Sequence, residues 1–223
     1  MDIPLLHRPR LLDLFCKEGG ASAGYQRAGF EVTGVDIDPQ PRYPFEFHRG
    51  DALAFLIAHG HEFDVIAASP PCQRFTNAQR IQGRDHHDFL SEVRALCQAL
   101  GRPYVIENVE GAPLHHPVML CGAMFEGLRT YRHRLFESNL PLQVPPHPAH
   151  HIRITKMGRP PRAGEFMHVV GNFSGVAAAK AAMGIDWMTR DGLREAIPPA
   201  FTAHLGTQLL RHLTTGAAAR KGA

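Results

Sequence analysis

The stretch RLLDLFCKEGGASAGYQRAGFEVTGVDID, Arg10–Asp38, decides the fold of this chain. It opens with the apolar run RLLDLF, which predicts a buried strand. A glycine-rich turn and a helix of small residues follow, and the helix is predicted to end near Gly29. The run EVTGVDID then predicts a second strand with acidic residues at its carboxyl end. A strand, a turn, a helix and a strand in this order form the repeating unit of an α/β sheet.

The same alternation continues as far as Ser138. One helix is predicted after the turn at Gly50, and an apolar stripe that stops at Gly101 predicts another. Further strands are predicted at Phe63–Ser69, Pro103–Val109 and Arg132–Ser138. We therefore predict a doubly wound, mostly parallel α/β sheet.

The sequence divides into four regions. Residues 1–138 are predicted to form the core, and residues 139–172, where the alternation stops, a small irregular insert. Residues 173–215 contain two predicted helices that complete the core, the second starting at Pro198-Pro199. Residues 216–223 are predicted to be a frayed tail.

Composition argues against several classes of protein. No apolar run approaches the roughly 20 residues of a membrane helix, and no secretion signal is recognised, so we expect a cytoplasmic protein with no membrane partner. The four cysteines contain no C-x-x-C pair, and the fifteen histidines show no zinc-ligand spacing. These spacings predict neither a disulfide framework nor a metal site.

The distribution of charge is more informative than the formal net charge of +3. No acidic residue occurs between Asn139 and Gly164. Such a basic, proline-rich stretch is either a solvated insertion or a contact for nucleic acid. Its basic residues are Arg153, Lys156, Arg159 and Arg162.

Two features lie at the predicted carboxyl ends of strands, where open α/β sheets bind ligands. Pro70 and Pro71 end the third strand in a rigid turn that presents Cys72, either an ordinary loop cysteine or a nucleophile. The glycine-rich turn, with Asp36 one strand later, is the placement expected around a nucleotide-like ligand. The dinucleotide fingerprint G-x-G-x-x-G is absent.

The motifs together resemble one family. DLFCKEGGASAGYQRAGF, VDID, GDA, SPPCQRFT, ENV and RHRLFE occur here in the order and spacing of the DNA cytosine-5 methyltransferases. The C-terminal AMGIDWMTRDGLREAIPPAFTAHLG is similar to the ending of short, often phage-encoded members. The resemblance implies a Rossmann-like class I methyltransferase fold, S-adenosylmethionine as cofactor, and methylation of cytosine C5 in double-stranded DNA, often within restriction–modification.

The resemblance also assigns catalytic roles. Cys72 would add to C6 of a flipped-out cytosine, because this addition makes C5 nucleophilic. Glu107 would protonate N3, for which burial must raise its pKa. Arg134 would face the cytosine O2, and Arg132 a phosphate or Glu107. Both arginines are predicted to alternate on one strand and to share a face.

For the cofactor, the resemblance places Asp36 at the ribose, Ile37 at the adenine face and Asp51 at the adenine amino group. Lys17 stands where the family usually has glycine, so that turn either runs at negative φ or carries strain. The remaining residues assigned to the cofactor are Phe15, Gly19, Gly20, Ala52 and Pro70.

For DNA, the four basic residues of 139–172 would contact phosphates, and so would polar residues that follow the nucleophile. These are Gln73, Arg74, Arg80, Gln82 and Arg84. The family's target-recognition region is reduced here, which predicts either a very short recognition site or weak specificity. We expect a monomer. Two alternatives stay open: C5 methylation of RNA or of a free cytosine nucleotide, and an inactive module that binds DNA or cofactor.

Overall fold

The computed structural model describes residues 7–71, 88–156 and 158–221, with side chains as far as residue 215. This part of the chain contains a seven-stranded sheet. Its strands are β1 (Arg10–Leu14), β2 (Glu31–Asp36), β3 (Glu46–Arg49), β4 (Val65–Ala68), β5 (Tyr104–Asn108), β6 (Val118–Leu120) and β7 (Arg134–Ser138).

The strand order is β3-β2-β1-β4-β5-β7-β6. The first five strands in this order are parallel, whereas β7 runs antiparallel to both β5 and β6. The predicted doubly wound, mostly parallel sheet is therefore confirmed. The short strands β3 and β6 were not predicted, because neither has a long apolar run.

Six α-helices are seen in the described residues: α1 (Gly20–Ala28), α2 (Ala52–His59), α3 (Phe89–Leu100), α4 (Val176–Met183), α5 (Arg190–Glu195) and α6 (Pro199–Lys221). Helix α3 ends as predicted at Gly101, whose φ is 63°. Helix α4 was not predicted. Residues 216–223 were predicted to be a frayed tail, and α6 continues into this range as far as Lys221.

The two faces of the sheet are covered by different helices. Because side chains alternate along a strand, Leu11 faces the cluster formed with α1 and α6. Leu12 and Leu14 face the opposite cluster, formed with α2 and α3. All three leucines are completely buried, as expected for a strand covered on both faces.

The C-terminal helix α6 packs closely on α1. A side chain at Gly24 would collide with Thr202, whose hydroxyl donates a 2.8 Å hydrogen bond to the Ala21 carbonyl. Phe201, two residues after the start of α6, is completely buried in the cluster that contains α1. The end of the chain thus completes the core around its first helix.

The described residues of 139–172 form no helix and no extended strand; one isolated bridge joins Ile154 to Phe166. None of the described helices is both long and apolar enough to span a bilayer.

Candidate active site

A cavity of about 480 Å³ opens at the carboxyl ends of β1, β2, β4 and β5. The strand order reverses between β1 and β4, and such a reversal is where open α/β sheets bind ligands. Glu107 and Arg134 line this cavity, and so do most residues predicted to bind the cofactor. These are Phe15, Lys17, Gly20, Asp36, Ile37, Asp51, Ala52 and Pro70.

Gly19 is not part of the cavity wall, although it was predicted to bind the cofactor. It caps α1 at φ 84°, and a Cβ atom there would lie 2.9 Å from the Tyr43 ring. A Cβ atom at Gly20 would lie 2.6 Å from the carbonyl oxygen of Ile197. The glycine pair is therefore required by packing as well as by the turn.

The turn before these glycines is strained. Lys17 has φ 47°, so the second of the two possibilities for this position, a turn with strain, is the one observed. Its backbone N–H donates a 3.0 Å hydrogen bond to Asp36, and its ammonium lies 3.4 Å from Asp38. Phe15 also has positive φ, at 59°. These contacts hold the turn against the end of β2.

The predicted nucleoside contacts lie on one side of the cavity. Asp36 is 3% exposed and accepts hydrogen bonds from the backbone of Lys17 and of Asp38. Ile37 next to it is an apolar side chain that is 62% exposed. The carboxylate of Asp51 caps α2 by accepting from the Ala54 N–H at 2.8 Å. A buried acid and an exposed apolar surface are therefore neighbours.

Glu107, near the end of β5, forms an ion pair with Arg134 at the start of β7. The Arg134 Nε lies 2.8 Å from Glu107 Oε1. Burial raises the pKa of Glu107 and outweighs the opposing effects of Arg134, Arg132 and the Ser69 hydroxyl. The carboxyl group is thus shifted toward the protonated form that a proton donor requires.

Arg132 does not lie on the strand with Arg134, so the prediction that they alternate on one strand was wrong. Strand β7 begins only at Arg134. The Arg132 guanidinium instead donates to the backbone oxygens of Val169, at 2.8 Å, and Arg194, at 2.7 Å. Arg132 therefore fastens later parts of the chain to the site, while Arg134 pairs with Glu107.

Hydrogen bonds fix the backbone at Ser69 and Pro70, where the proline turn begins. Asn108 Nδ2 donates a 3.1 Å hydrogen bond to the Pro70 carbonyl, and Ser69 N–H donates to the Leu14 carbonyl at 3.1 Å. The backbone that leads toward Cys72 is thereby tied to both β5 and β1. Cys72 and the predicted DNA contacts that follow it lie outside the described residues; the latter are Gln73, Arg74, Arg80, Gln82 and Arg84.

Asp13 is a cavity residue that the sequence reasoning missed. It is 1% exposed, and its Oδ2 accepts a hydrogen bond from the Ser22 hydroxyl. The Ser22 oxygen accepts in turn from the Tyr43 hydroxyl. The Oδ1 atom is buried and makes no hydrogen bond with the described residues. Burial raises the pKa of Asp13 to about 7. The sequence signal that could have identified Asp13 is an acidic residue inside the apolar run RLLDL.

The C-terminal segment closes the cavity and was also missed. Trp187 Nε1 donates to the Glu18 carbonyl at 2.7 Å, and the Thr189 N–H donates to the Glu18 carboxylate at 2.7 Å. These partners are separated by 169 and 171 residues in the sequence, so no local pattern reveals the contact. The wall formed here comprises Met188, Gly192 and residues 194–197.

The basic residues of 139–172 are not equivalent. Arg159 forms a two-pronged ion pair with Glu165, with contacts of 2.6 and 2.9 Å, and this pairing lowers the pKa of Glu165 to about 2. Arg159 was predicted to contact a DNA phosphate, but its guanidinium is already paired with a carboxylate. Glu165 directly follows Gly164, the end of the stretch that contains no acidic residue. The exposed basic trio consists of Arg153, Lys156 and Arg162.

Solved structures with this architecture are methyltransferases. A candidate DNA modification methyltransferase encoded within an E. coli prophage superposes with a TM-score of 0.65 at 15% identity, covering 92% of this chain and 99% of its own. The Dnmt2 methyltransferase of S. pombe superposes with a TM-score of 0.61 at 14% identity, and the match covers 93% of this chain and 99% of that protein. At these identities the likeness shows the fold, which is the Rossmann-like class I fold.

The sequence shows the family. Residues 9–118 match the family described as C-5 cytosine-specific DNA methylase. The type II methyltransferase M.XorII of Xanthomonas oryzae pv. oryzae is 31% identical over 122 residues, which cover 47% of this chain and 29% of that protein. Residues 9–118 of this chain thus belong to the cytosine-5 DNA methyltransferase family, as the motifs predicted. The matched segment covers 29% of M.XorII and 32% of a second relative, the type II methyltransferase M1.HphI of Haemophilus parahaemolyticus.

Proposed function

We propose that this protein transfers a methyl group from S-adenosylmethionine to C5 of cytosine in DNA. One observation carries the proposal: a single cavity contains the predicted cofactor residues and the Glu107–Arg134 pair. The fixed proline turn, which leads directly to Cys72, lines the same cavity at Pro70. The two halves of the reaction, methyl donor and base, would therefore meet in one place.

The residues present fit S-adenosylmethionine. Asp36 offers a buried carboxylate for ribose hydroxyls, and Ile37 an exposed apolar surface for the adenine ring. Asp13, which lines the same cavity, adds a carboxyl oxygen that makes no hydrogen bond with a described residue. The cofactor supplies an electrophilic methyl group on a cationic sulfur. Lys17 would hold the turn closed through Asp36 and Asp38.

Cys72 would start the reaction as a thiolate by forming a bond from sulfur to C6 of the cytosine. The electron pair of the C5–C6 double bond is then available at C5, with negative charge delocalised to N3 through the ring. Glu107 would give its proton to N3, for which its raised pKa is suited. After methylation, loss of the C5 proton to a base and expulsion of the thiolate restore the double bond, and N3 returns its proton.

Arg134 would have two tasks. Its contact of 2.8 Å orients the Glu107 carboxyl group, and its permanent positive charge can stabilise the cytosine O2 as negative charge develops in the ring. Arg132 would act as a positioning residue, since its guanidinium donates to the backbone oxygens of Val169 and Arg194.

We further propose that residues 139–172 are a reduced DNA-recognition insert on a core formed by residues 1–138 and 173–215. The exposed basic trio would contact phosphates, as would the polar residues after Cys72. Phosphate contacts position DNA without reading its sequence, so a recognition site of about two to four base pairs is expected.

The test is incubation with S-adenosylmethionine labelled in its methyl group and, separately, DNA, RNA or dCMP, followed by nucleoside analysis. We expect labelled 5-methylcytosine from DNA. DNA that contains 5-fluorocytosine should trap a covalent complex, because fluorine cannot leave C5 as a proton does. Label in RNA or in dCMP alone would contradict DNA as the substrate, and absence of label everywhere would favour an inactive binding module.

Three variants separate the steps. Cys72→Ser should abolish transfer and trapping while cofactor binding, measured by calorimetry, is retained. Glu107→Gln should lower kcat by roughly 10²- to 10⁴-fold, the usual worth of a positioned proton donor. Glu31→Gln is the matched control, an exposed glutamate at the opposite end of the parallel strands, and should retain full activity. Normal turnover by Cys72→Ser would exclude the covalent mechanism.

A further inference from the structure

Four potential metal ligands meet beside the catalytic sheet. Cys121 follows β6 directly, His133 directly precedes β7, and His147 and His150 come from the 139–172 region. One ligand atom from each of the four residues lies within 4.8 Å of the other three. The sequence predicted no metal because its cysteines and histidines show no close ligand spacing, whereas this set comes from three segments that only the fold brings together.

The closest distances match those between ligands of one ion. Cys121 Sγ lies 3.3 Å from His150 Nε2, and His133 Nε2 lies 3.2 Å from His147 Nε2. Zinc bonds of about 2.0–2.1 Å to nitrogen and about 2.3 Å to sulfur place tetrahedral ligand atoms roughly 3.3–3.6 Å apart. The two pairs are therefore already at ligand separation, and the wider distances need to close by about 1 Å.

Outer contacts orient the rings. His133 Nδ1 lies 3.4 Å from the Glu110 carboxylate, which leaves Nε2 directed to the cluster. A histidine that binds a metal through one nitrogen commonly donates the other N–H to a carboxylate. The His150 ring stacks on Tyr131 with centroids 3.6 Å apart and planes inclined by 15°. Tyr131 also donates a 2.8 Å hydrogen bond to the Ile152 carbonyl, which holds the neighbouring backbone.

We propose that Cys121, His133, His147 and His150 bind one structural Zn²⁺ ion in a tetrahedral Cys-His₃ site. One thiolate and three imidazoles are ligands that zinc prefers, and four protein ligands form a closed site of the structural type. On binding, the Cys121 sulfur gives up its proton to solvent and forms the Zn–S bond, and each histidine contributes a nitrogen lone pair.

The position of the site indicates what the metal would do. His147 and His150 belong to the irregular 139–172 region, whereas His133 is followed directly by Arg134. The Arg134 guanidinium donates a 2.8 Å hydrogen bond to the His133 carbonyl. An ion at the cluster would therefore fasten the 139–172 region to the strand whose first residue pairs with Glu107. This inference does not depend on the proposed reaction.

The experiment measures metal directly. The full chain is produced without a polyhistidine tag, and its zinc content is determined by mass spectrometry after gel filtration. We expect one zinc ion per chain. After removal of zinc by a chelator, Co²⁺ should bind stoichiometrically and produce the sulfur-to-cobalt charge-transfer absorption of a tetrahedral thiolate site. Cys121→Ser should lose this absorption, and His147→Ala, at an exposed position, should bind Co²⁺ at least tenfold more weakly.

His151→Ala is the matched control, since this exposed histidine adjoins His150 but is not in the cluster. It should retain zinc and the cobalt spectrum. A second measurement does not need cobalt: zinc should slow tryptic cleavage after Arg153 and Arg162 in the wild type, and not in His147→Ala. Wild-type protein that neither contains zinc nor binds Co²⁺ stoichiometrically would overturn the proposal. So would Co²⁺ absorption that is the same in Cys121→Ser as in the wild type.

Discussion

Asp13 should make the stability of this protein fall as pH rises, and Asp13→Asn should remove that dependence. In the folded chain the buried carboxyl group has a pKa of about 7, against 3.8 for an exposed aspartate. Between these values the folded state holds a proton that the unfolded state has released. The contribution of Asp13 to the free energy of unfolding is therefore largest below about pH 4 and decreases until the folded carboxyl group ionises near pH 7.

The size of the effect follows from the difference between the two pKa values. Each tenfold change in an acid dissociation constant corresponds to about 1.4 kcal/mol, so a rise from 3.8 to about 7 contributes up to about 4 kcal/mol between pH 4 and pH 8. Asparagine keeps the size of the side chain, and its carbonyl can still accept from Ser22. Its amide would face the side where Oδ1 makes no described hydrogen bond, at a cost of about 1–3 kcal/mol that is independent of pH.

The assay is urea unfolding of wild type and Asp13→Asn at several pH values from 4 to 8. The quantity that decides is the difference in free energy of unfolding between the two proteins, because other titrating groups cancel in it. This difference should change by about 4 kcal/mol in favour of the variant as pH rises. Asp38→Asn, at a carboxylate whose side chain is 64% exposed, controls for loss of one negative charge. Parallel curves for wild type and Asp13→Asn would refute the buried, protonated Asp13.

Asp36→Asn should weaken S-adenosylmethionine binding roughly ten- to a hundredfold by calorimetry, since a hydrogen bond to a charged group contributes about 1.5–3 kcal/mol. Glu31→Gln, an exposed change at the opposite end of the same strand, should bind normally, and equal affinities for wild type and Asp36→Asn would show that the cofactor does not contact Asp36. Gly20→Ala should lower the free energy of unfolding, measured by urea unfolding, by about 1–3 kcal/mol, because the added Cβ atom would lie 2.6 Å from the Ile197 carbonyl oxygen. An unchanged urea midpoint would mean that the C-terminal segment does not pack against Gly20. Replacing all three residues of the exposed basic trio by alanine should reduce the slope of log DNA affinity against log salt concentration by up to about 0.9 per residue. Arg159→Ala should leave the slope unchanged, because that charge is paired with Glu165. An equal reduction of the slope in Arg159→Ala would contradict the pairing.

The sheet could be predicted because its signals are local. Buried parallel strands are short apolar runs, and glycines such as Gly29 and Gly101 mark where helices end, so most elements were recognised. Elements without such signals were missed: three of the four residues of β3 (Glu46–Arg49) are exposed, and β6 has only three residues.

The sequence by itself determined the fold class, the family, and a site at the carboxyl ends of the strands, because a parallel sheet brings those ends to one edge. Only the tertiary structure decided which charges meet there. Arg134 forms the ion pair with Glu107, burial raises the pKa of Asp13 to about 7, and Arg159 is paired with Glu165. Pairing and burial depend on distances between segments far apart in the chain, and periodicity along the sequence carries no information about them. The Cys121 cluster has the same origin, since its four residues become neighbours only when an irregular region folds back on the sheet.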